Sequence, residues 1–137
     1  MRAEPGSRHA RAAARQGDTI VSGLAPVGER ESIGGLLARN ALRFAEHPVY
    51  GERQETGFET ATWGRLLEEV AAFGRFLAAS GVGSGDRVAV CSPNRSEMLV
   101  VELATMAVGA IHVPIFAGYP AAQTSALLEH AGPAALI

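Results

Sequence analysis

The chain has 137 residues, of which 47% are hydrophobic and 19% are charged, and its formal net charge at pH 7 is -2. This composition is ordinary for one globular domain, and the length excludes a complete large enzyme. The near-neutral charge and the scattered arginines exclude the broad basic surface typical of nucleic-acid binding, so we expect no nucleic-acid partner.

Residues 1–30 contain Gly, Pro, Ser and charged residues without apolar periodicity, and this pattern predicts a disordered leader or linker. Residues 2–15 are rich in Arg and Ala, a composition that transit peptides share with disordered bacterial leaders. Both interpretations stay open at this point.

The first ordered elements are predicted from residue 32 onward. Ser32 is a candidate N-cap for a helix that ends before Pro48 and has one apolar face, formed by Ile33, Leu36, Leu37 and Phe44. Residues 49–50 and 58–61 flank the polar loop 51–57, a pattern that predicts a small hairpin.

A long amphipathic helix is predicted to begin at Trp63, with Thr62 as its N-cap. Its apolar residues recur at intervals of three and four: Trp63, Leu66, Leu67, Val70, Phe73 and Leu77. Gly81 is suited to the left-handed conformation that ends a helix, and Val82 to folding back over the last turn.

Residues 81–114 then read as a β-α-β unit. Residues 87–91 form an apolar strand, and Asn94 precedes Glu97 by the three residues of a capping-box variant. The following helix is predicted from about residue 95 to 108, where Gly109 ends it. Strands that are apolar throughout are expected in a parallel sheet covered on both faces.

The remaining elements continue this alternation. Residues 111–116 form a second strand, Pro120 suits the first turn of another helix, and Leu127 with Leu128 gives that helix an inner face. Gly132 and Pro133 end it, and residues 134–137 begin a third strand. The predicted fold class is α/β: a β-α-β-α-β piece of a parallel sheet, with preceding helices and a small hairpin. A chain that stops on an apolar edge strand is expected to be a fragment of a longer protein.

Three glycines resemble a phosphate-binding turn at first sight. Gly81, Gly83 and Gly85 follow a helix and precede a strand, whereas a dinucleotide site requires a glycine-rich turn from strand into helix. We therefore expect no cofactor at these glycines.

Three single residues that could carry chemistry are each expected to have a structural role. Asp86 is expected to form a turn, His112 to be a satisfied core histidine, and Cys91 to behave as a small buried hydrophobe. The chain contains no lysine, which excludes any lysine-dependent step within it, and one cysteine cannot form an intrachain disulfide. The cysteine usage fits a reducing compartment, and we expect a cytoplasmic protein. The apolar stretch 98–118 is interrupted by Glu102 and reads as a core helix and strand, so no transmembrane segment is expected.

The stretch GVGSGDRVAVCSPNRSEMLV resembles the pattern GV-x-PGDRVAI-x-SPN-x-PEW of the adenylate-forming (AMP-binding) synthetase superfamily. The upstream TWGRLLEEVAAFGRFLAASGV is similar to the TY-x-EL helix of the same superfamily, and the resemblance covers roughly residues 32–137 in consistent order. Within the superfamily the likeness is to long-chain fatty acid–CoA ligases. The chain departs from the pattern at Ser84 and Ser96, where proline is usual, and at Met98, where an aromatic residue is usual.

The resemblance implies that residues 31–137 are an incomplete N-terminal part of an AMP-binding domain. The implied enzyme is an AMP-forming acid–thiol ligase that uses ATP, Mg²⁺ and CoA to convert a fatty acid or another carboxylate into an acyl-adenylate and then an acyl-CoA. The family's catalytic motifs lie beyond the matched region, so no catalytic, cofactor-binding or metal-binding residue is assigned. We expect this chain alone to bind none of the three cofactors and to be inactive.

Two alternatives stay open. The chain could be a non-catalytic structural or interaction module, a pseudo-enzyme remnant whose third strand pairs with a partner. A flavodoxin-like binding domain is disfavoured, since no phosphate loop follows the first strand. Peripheral membrane contact is compatible with the sequence, and acyl chain length and oligomeric state are left undecided.

Overall fold

A computed structural model describes residues 31–137, and the predictions made for residues 1–30 lie outside the described part. The described chain alternates helices and strands after an initial helix and hairpin. In chain order the elements are α1 (Ile33–Phe44), β1 (Pro48–Gln54), β2 (Gly57–Thr62), α2 (Trp63–Ala79), β3 (Arg87–Ser92), α3 (Ser96–Ala107), β4 (Ile111–Phe116), α4 (Ala121–Ala131) and β5 (Ala135–Leu136).

The predicted caps of the first two helices are confirmed. The Ser32 hydroxyl accepts from the backbone N–H of Gly35 at 3.1 Å. The Thr62 hydroxyl accepts from the backbone N–H of Arg65 at 3.3 Å. Each cap satisfies one of the N–H groups that have no partner inside the helix, so these hydroxyls fix where α1 and α2 begin.

The end of α2 is confirmed as well. Gly81 takes a φ of 84°. Its N–H donates to the Ala78 carbonyl at 3.1 Å, while the Val82 N–H donates to the Leu77 carbonyl at 3.0 Å. This pair of bonds is the Schellman motif, which requires a left-handed residue at the glycine position. The motif turns the chain sharply toward β3.

The hairpin exists, but the predicted loop is mostly strand. β1 and β2 pair antiparallel from Tyr50 opposite Ala61 to Gln54 opposite Gly57. The turn is thus reduced to residues 55 and 56, and the prediction of a polar loop over 51–57 is wrong. Alternating polar residues on an exposed two-stranded ribbon read like loop residues, since neither face needs an apolar side chain.

The larger sheet is parallel, with the strand order β4-β3-β5. β3 is central: Val88 lies opposite His112 on one side and opposite Ala135 on the other. Because β-α-β crossovers are right-handed, the crossover from β3 to β4 and the returning crossover from β4 to β5 place α3 and α4 on opposite faces. The predicted α/β class and the third strand are confirmed.

The core lies where α1, α2 and α3 pack against each other and against β3. Leu66, Leu77, Val88 and Val90 are each at most 1% exposed. Gly34 on α1 lies so close to α3 that a Cβ would sit 3.4 Å from the Ala107 Cα. The apolar face predicted for α2 builds this core through Leu66, Val70 and Leu77. Of the four residues predicted for the apolar face of α1, Leu37 is the buried one, and Ile33 is 48% exposed.

The predicted capping box before α3 is wrong. The helix begins at Ser96 with Arg95 as its N-cap residue, and no side chain of that residue caps it. Asn94 lies one residue too early. A tertiary partner described below satisfies the first N–H group instead, so the local Asn94–Glu97 pair is not needed.

The later helix is less buried than predicted. Pro120 is the N-cap residue of α4 rather than part of its first turn, and none of the residues of α4 is buried. Leu127 is 38% exposed, which contradicts the expected inner face at that position.

The Arg87 guanidinium donates to the Ala131 carbonyl and, at 3.1 Å, to the Gly132 carbonyl. The C-terminus of α4 is therefore tied to β3 by charge-assisted bonds.

Within residues 31–137, no helix combines the length and the apolar content needed to cross a membrane.

Candidate functional site

A cleft opens at the carboxyl ends of β3 and β5. β4 and β5 flank the central strand on opposite sides, so these strand ends form a topological switch point, where open α/β sheets bind ligands. The hairpin, α2 and the start of α3 surround a cavity of about 540 Å³. Its apolar floor includes Phe73, Val100 and Ile137.

The hairpin and α3 meet in this cleft through Glu52. The Glu52 carboxylate accepts from the backbone N–H of Ser96 at 2.9 Å, across 44 residues of sequence. This bond, followed by one to the Ser96 hydroxyl, holds the pKa of the Glu52 carboxyl below its ordinary value. Glu52 therefore caps α3 from the hairpin, in place of a residue next to the helix.

Tyr50 lies beside this contact on the same strand. Burial, followed by the negative charge of Glu69, raises the pKa of the Tyr50 phenol, so the phenol is neutral at physiological pH. A neutral phenol can donate and accept hydrogen bonds in the cleft.

The charged groups of the cleft are largely paired with one another. Arg65 Nε donates to Glu69 at 2.8 Å, and an Arg65 terminal nitrogen lies 3.6 Å from Glu59. Arg95 Nε donates to the Ser92 hydroxyl at 3.1 Å and lies 3.8 Å from Glu97. Four glutamates against two arginines give the lining a net charge of -2. The arrangement can hold and orient polar groups, and it favours cations over anions.

The structure separates the residues that the sequence singled out. Gly81 and Gly85 take φ values of 84° and 83° in the turn from α2 into β3, away from the cleft. Asp86 accepts from the Gly83 N–H at 2.8 Å, which confirms its role in the turn. The three glycines thus shape a helix-to-strand connection.

His112 and Cys91 differ from their expectations. The His112 side chain is 5% exposed, its Nδ1 lies 4.0 Å from a Glu102 carboxylate oxygen, and its Nε2 is buried without a hydrogen-bond partner. The His112 side chain is therefore nearly buried but not satisfied. Cys91 is exposed, whereas the three residues before it on β3, Val88 to Val90, are buried.

Among residues 31–137, no three Asp, Glu, His or Cys side chains are grouped as a metal site would require. Sequence reasoning missed the cleft itself. Its residues come from five distant stretches, and the one available signal was the run of charged residues in the hairpin, which also fits a solvated ribbon.

Comparison with known proteins identifies relatives of this chain. The sequence model of the family described as "AMP-binding enzyme" matches residues 37–137. "Protein Y" of Streptomyces griseus is 42% identical over 76 residues, which are 56% of this chain and 25% of that protein. Acetyl-coenzyme A synthetase 2 of Debaryomyces hansenii is 33% identical over 112 residues, 80% of this chain and 16% of that protein.

Solved structures show the same arrangement of elements. The Mycobacterium tuberculosis fatty acyl CoA synthetase superposes with a TM-score of 0.71 at 27% identity, over 77% of this chain and 20% of that one. The chain thus spans a quarter or less of the length of each of these relatives.

Proposed function

We propose a function on the premise that this chain belongs to the AMP-binding enzyme family. The chain forms the N-terminal part of the large domain of an ATP-dependent acyl-CoA synthetase. The reaction joins a carboxylate to the α-phosphate of ATP, with loss of pyrophosphate, and then transfers the acyl group from AMP to the CoA thiol. One observation carries the proposal: the family match over residues 37–137 begins within α1 and takes in the hairpin and both β-α-β crossovers.

The names of the relatives support CoA as the acyl acceptor and a carboxylic acid as the substrate. The Debaryomyces protein is named for acetyl-CoA and the mycobacterial protein for fatty acyl-CoA. We propose a fatty acid as the substrate of the whole enzyme, which agrees with the motif likeness to long-chain ligases, and acetate is the rival substrate. We further propose a cytoplasmic location.

We propose that ATP does not bind to the residues of this chain, and that Mg²⁺ does not either, since residues 31–137 hold no group of three Asp, Glu, His or Cys side chains. The cleft carries a net charge of -2, which repels a triphosphate, and its two arginines are engaged by glutamates. Lysine is absent from the whole chain. We propose that this chain supplies scaffold and cleft wall, while groups outside it bind ATP, Mg²⁺ and CoA.

The first experiment is ATP–pyrophosphate exchange by the 137-residue chain, with palmitate and with acetate as the acid. We expect no exchange above the enzyme-free blank with either acid. Exchange by the chain alone would contradict the proposal that groups outside this chain bind ATP and Mg²⁺.

The second experiment tests family function directly. Residues 32–137 replace the matched segment of the Debaryomyces acetyl-CoA synthetase, and the parent enzyme is the control. We expect the chimera to form acetyl-CoA from acetate, ATP and CoA at a measurable fraction of the parent's rate. A chimera that folds, by circular dichroism and cooperative melting, but forms no acetyl-adenylate would count against the proposal.

A non-catalytic interaction module stays the alternative, since the β5 edge exposes Leu136 by 56% and Ile137 by 42%. Reading the coding DNA beyond Ile137 separates the two. A Ser/Thr/Gly-rich loop ending in Pro-Lys favours the synthetase, and an immediate stop codon favours the module.

A further inference from the structure

The hairpin of β1 and β2 forms one wall of the cleft and is fixed firmly at its base. The Trp63 N–H donates to the His47 carbonyl at 3.1 Å, and the Gly64 N–H donates to the Ala45 carbonyl at 2.9 Å. Ala61, close to this base, is 5% exposed. The base of the hairpin is therefore joined to the packed body of the chain.

The distal half of the hairpin, residues 52–60, is held much more loosely. Every residue from 53 to 60 is exposed, and Glu52 is half-buried. Glu59 lies 3.6 Å from Arg65, but the two side chains are 63% and 57% exposed, and an ion pair between such exposed groups contributes little to stability. Neither apolar burial nor this ion pair therefore fixes the position of the distal half.

A single residue of the body is hydrogen-bonded to this distal half. The Glu52 carboxylate accepts from the backbone N–H of Ser96 at 2.9 Å. Within the part of the chain that the structure describes, no other residue outside the hairpin forms a hydrogen bond with residues 52–60. Because Ser96 is the first residue of α3, this bond joins the two walls of the cleft.

The donor of this bond is available because Ser96 departs from the family pattern, in which proline is usual at this position. Proline has no backbone N–H, so a chain that follows the pattern offers Glu52 no donor here. Proline is otherwise well accommodated at the first position of a helix. The serine therefore adds a bond to the hairpin that the start of α3 does not itself require.

A hinge is placed between the fixed base and the distal half. The pairing register of β1 and β2 shifts between Pro48 and Tyr50. An irregularity of this kind interrupts the ladder and bends the strand, and a few such residues suffice to absorb a hinge motion. Rotation at this point would move Glu52, Glu59 and Thr60, which line the cleft.

We propose that the distal half of the hairpin is a flap over the cleft, and that the bond from the Ser96 N–H to the Glu52 carboxylate latches the flap closed. When the bond is broken, the flap turns about the hinge at Pro48 to Tyr50, and the cleft opens to solvent on the hairpin side. The latch does not depend on the proposed enzymatic function.

The test measures the distance from the hairpin tip to the sheet in the full 137-residue chain. Nitroxide labels are attached to Cys91, which is exposed and is the single cysteine, and at the position of Glu55→Cys in the hairpin turn. Ser96→Pro removes the donor N–H, and Ser96→Ala, which keeps it, is the matched control. By pulsed EPR we expect Ser96→Pro to give a longer mean distance and a roughly twofold broader distribution, and Ser96→Ala to retain the wild-type distribution.

Glu52→Ala breaks the same bond from the hairpin side and should reproduce the Ser96→Pro distribution, so it decides the question if Ser96→Pro fails to fold. Nitration by tetranitromethane, after alkylation of Cys91, reports on access to the cleft. Tyr50 lines the cleft, while Tyr119, the other tyrosine, lies outside it and serves as the internal control. The ratio of nitration at Tyr50 to that at Tyr119 should rise in both variants. Wild-type distances in either folded variant would overturn the proposal, and so would an unchanged nitration ratio.

Discussion

Glu52 on the hairpin accepts the backbone N–H of Ser96 at 2.9 Å, and this bond joins the two-stranded ribbon to the first residue of α3. The contact spans the cleft at the end of the central strand. A single carboxylate thus performs the capping function that Asn94 was expected to perform.

Removing this carboxylate should destabilise α3 and loosen the hairpin. We expect Glu52→Ala to lower the urea midpoint of unfolding, and Glu52→Gln to lower it less, because the amide oxygen still accepts a hydrogen bond. Glu55→Gln, in the exposed hairpin turn, is the matched control and should leave the midpoint unchanged. Equal midpoints for wild type and Glu52→Ala would show that the Ser96 N–H finds another acceptor.

The same contact predicts a pH dependence. The pKa of Glu52 is lowered in the folded state, so its contribution to stability is present above the unfolded-state value, near 4.5, and is lost as pH falls through the folded-state value. The difference in urea midpoint between wild type and Glu52→Gln should therefore be constant near neutral pH and shrink below about pH 4.5. A difference that grows on acidification would contradict this sign.

Two glycines with similar positive φ angles offer a matched comparison. Gly109 has a φ of 78°, and a Cβ there would lie 3.2 Å from the Ser84 hydroxyl oxygen, whereas Gly81 has a φ of 84° and open space. Gly81→Ala should cost about 1–2 kcal/mol of unfolding free energy from the left-handed backbone alone. Gly109→Ala should cost more, and Ser84→Gly should remove the excess. Identical costs for the two alanines would mean that Ser84 moves aside freely.

Thr105 allows the hydroxyl and the methyl group to be tested separately. The side chain is fully buried, and its hydroxyl donates to the Val101 carbonyl at 2.7 Å within α3. Thr105→Val should leave the unfolding free energy nearly unchanged, because no buried group loses its required partner. Thr105→Ser should lower it by about 1 kcal/mol through the lost methyl group. If chemical denaturation shows Thr105→Val to be less stable than Thr105→Ser, the hydroxyl contributes more to stability than the methyl group does.

His112 carries the one buried side-chain atom without a partner that the described chain shows. Replacing it by Leu removes the unsatisfied Nε2 at similar volume, so we expect the unfolding free energy to rise by about 1 kcal/mol. His130→Leu, at an exposed position of α4, is the control and should change stability little. A destabilised His112→Leu variant would reveal a partner for Nε2 in solution.

The elements that were predictable from the sequence are those whose signals are local. Ser32 and Thr62 cap helices through atoms three residues away, and Gly81 ends α2 through bonds within five residues. Apolar periodicity also located the faces that form the core, because burial on one side of a helix or strand imposes that spacing. The order of helices and strands followed from these signals.

The features that were predicted wrongly or not at all depend on interactions between distant parts of the chain. The start of α3 depends on Glu52, 44 residues upstream of Ser96, and no local pattern encodes such a partner. Cys91 was expected in the core on strand hydrophobicity alone, but it is exposed, whereas the three residues before it on β3 are buried. The cleft escaped prediction for the same reason, since its walls meet only once the sheet and hairpin are assembled.

The central position of β3 also has a consequence for biosynthesis. β3 is the first of the three parallel strands to leave the ribosome, yet its neighbours in the sheet, β4 and β5, are made afterwards on opposite sides of it. Until they emerge, the residues Val88 to Val90 have backbone groups without sheet partners on both edges. Translation pauses between residues 92 and 135 would prolong this unpaired state, whereas α1 and α2, completed earlier, can already shield one face of the strand.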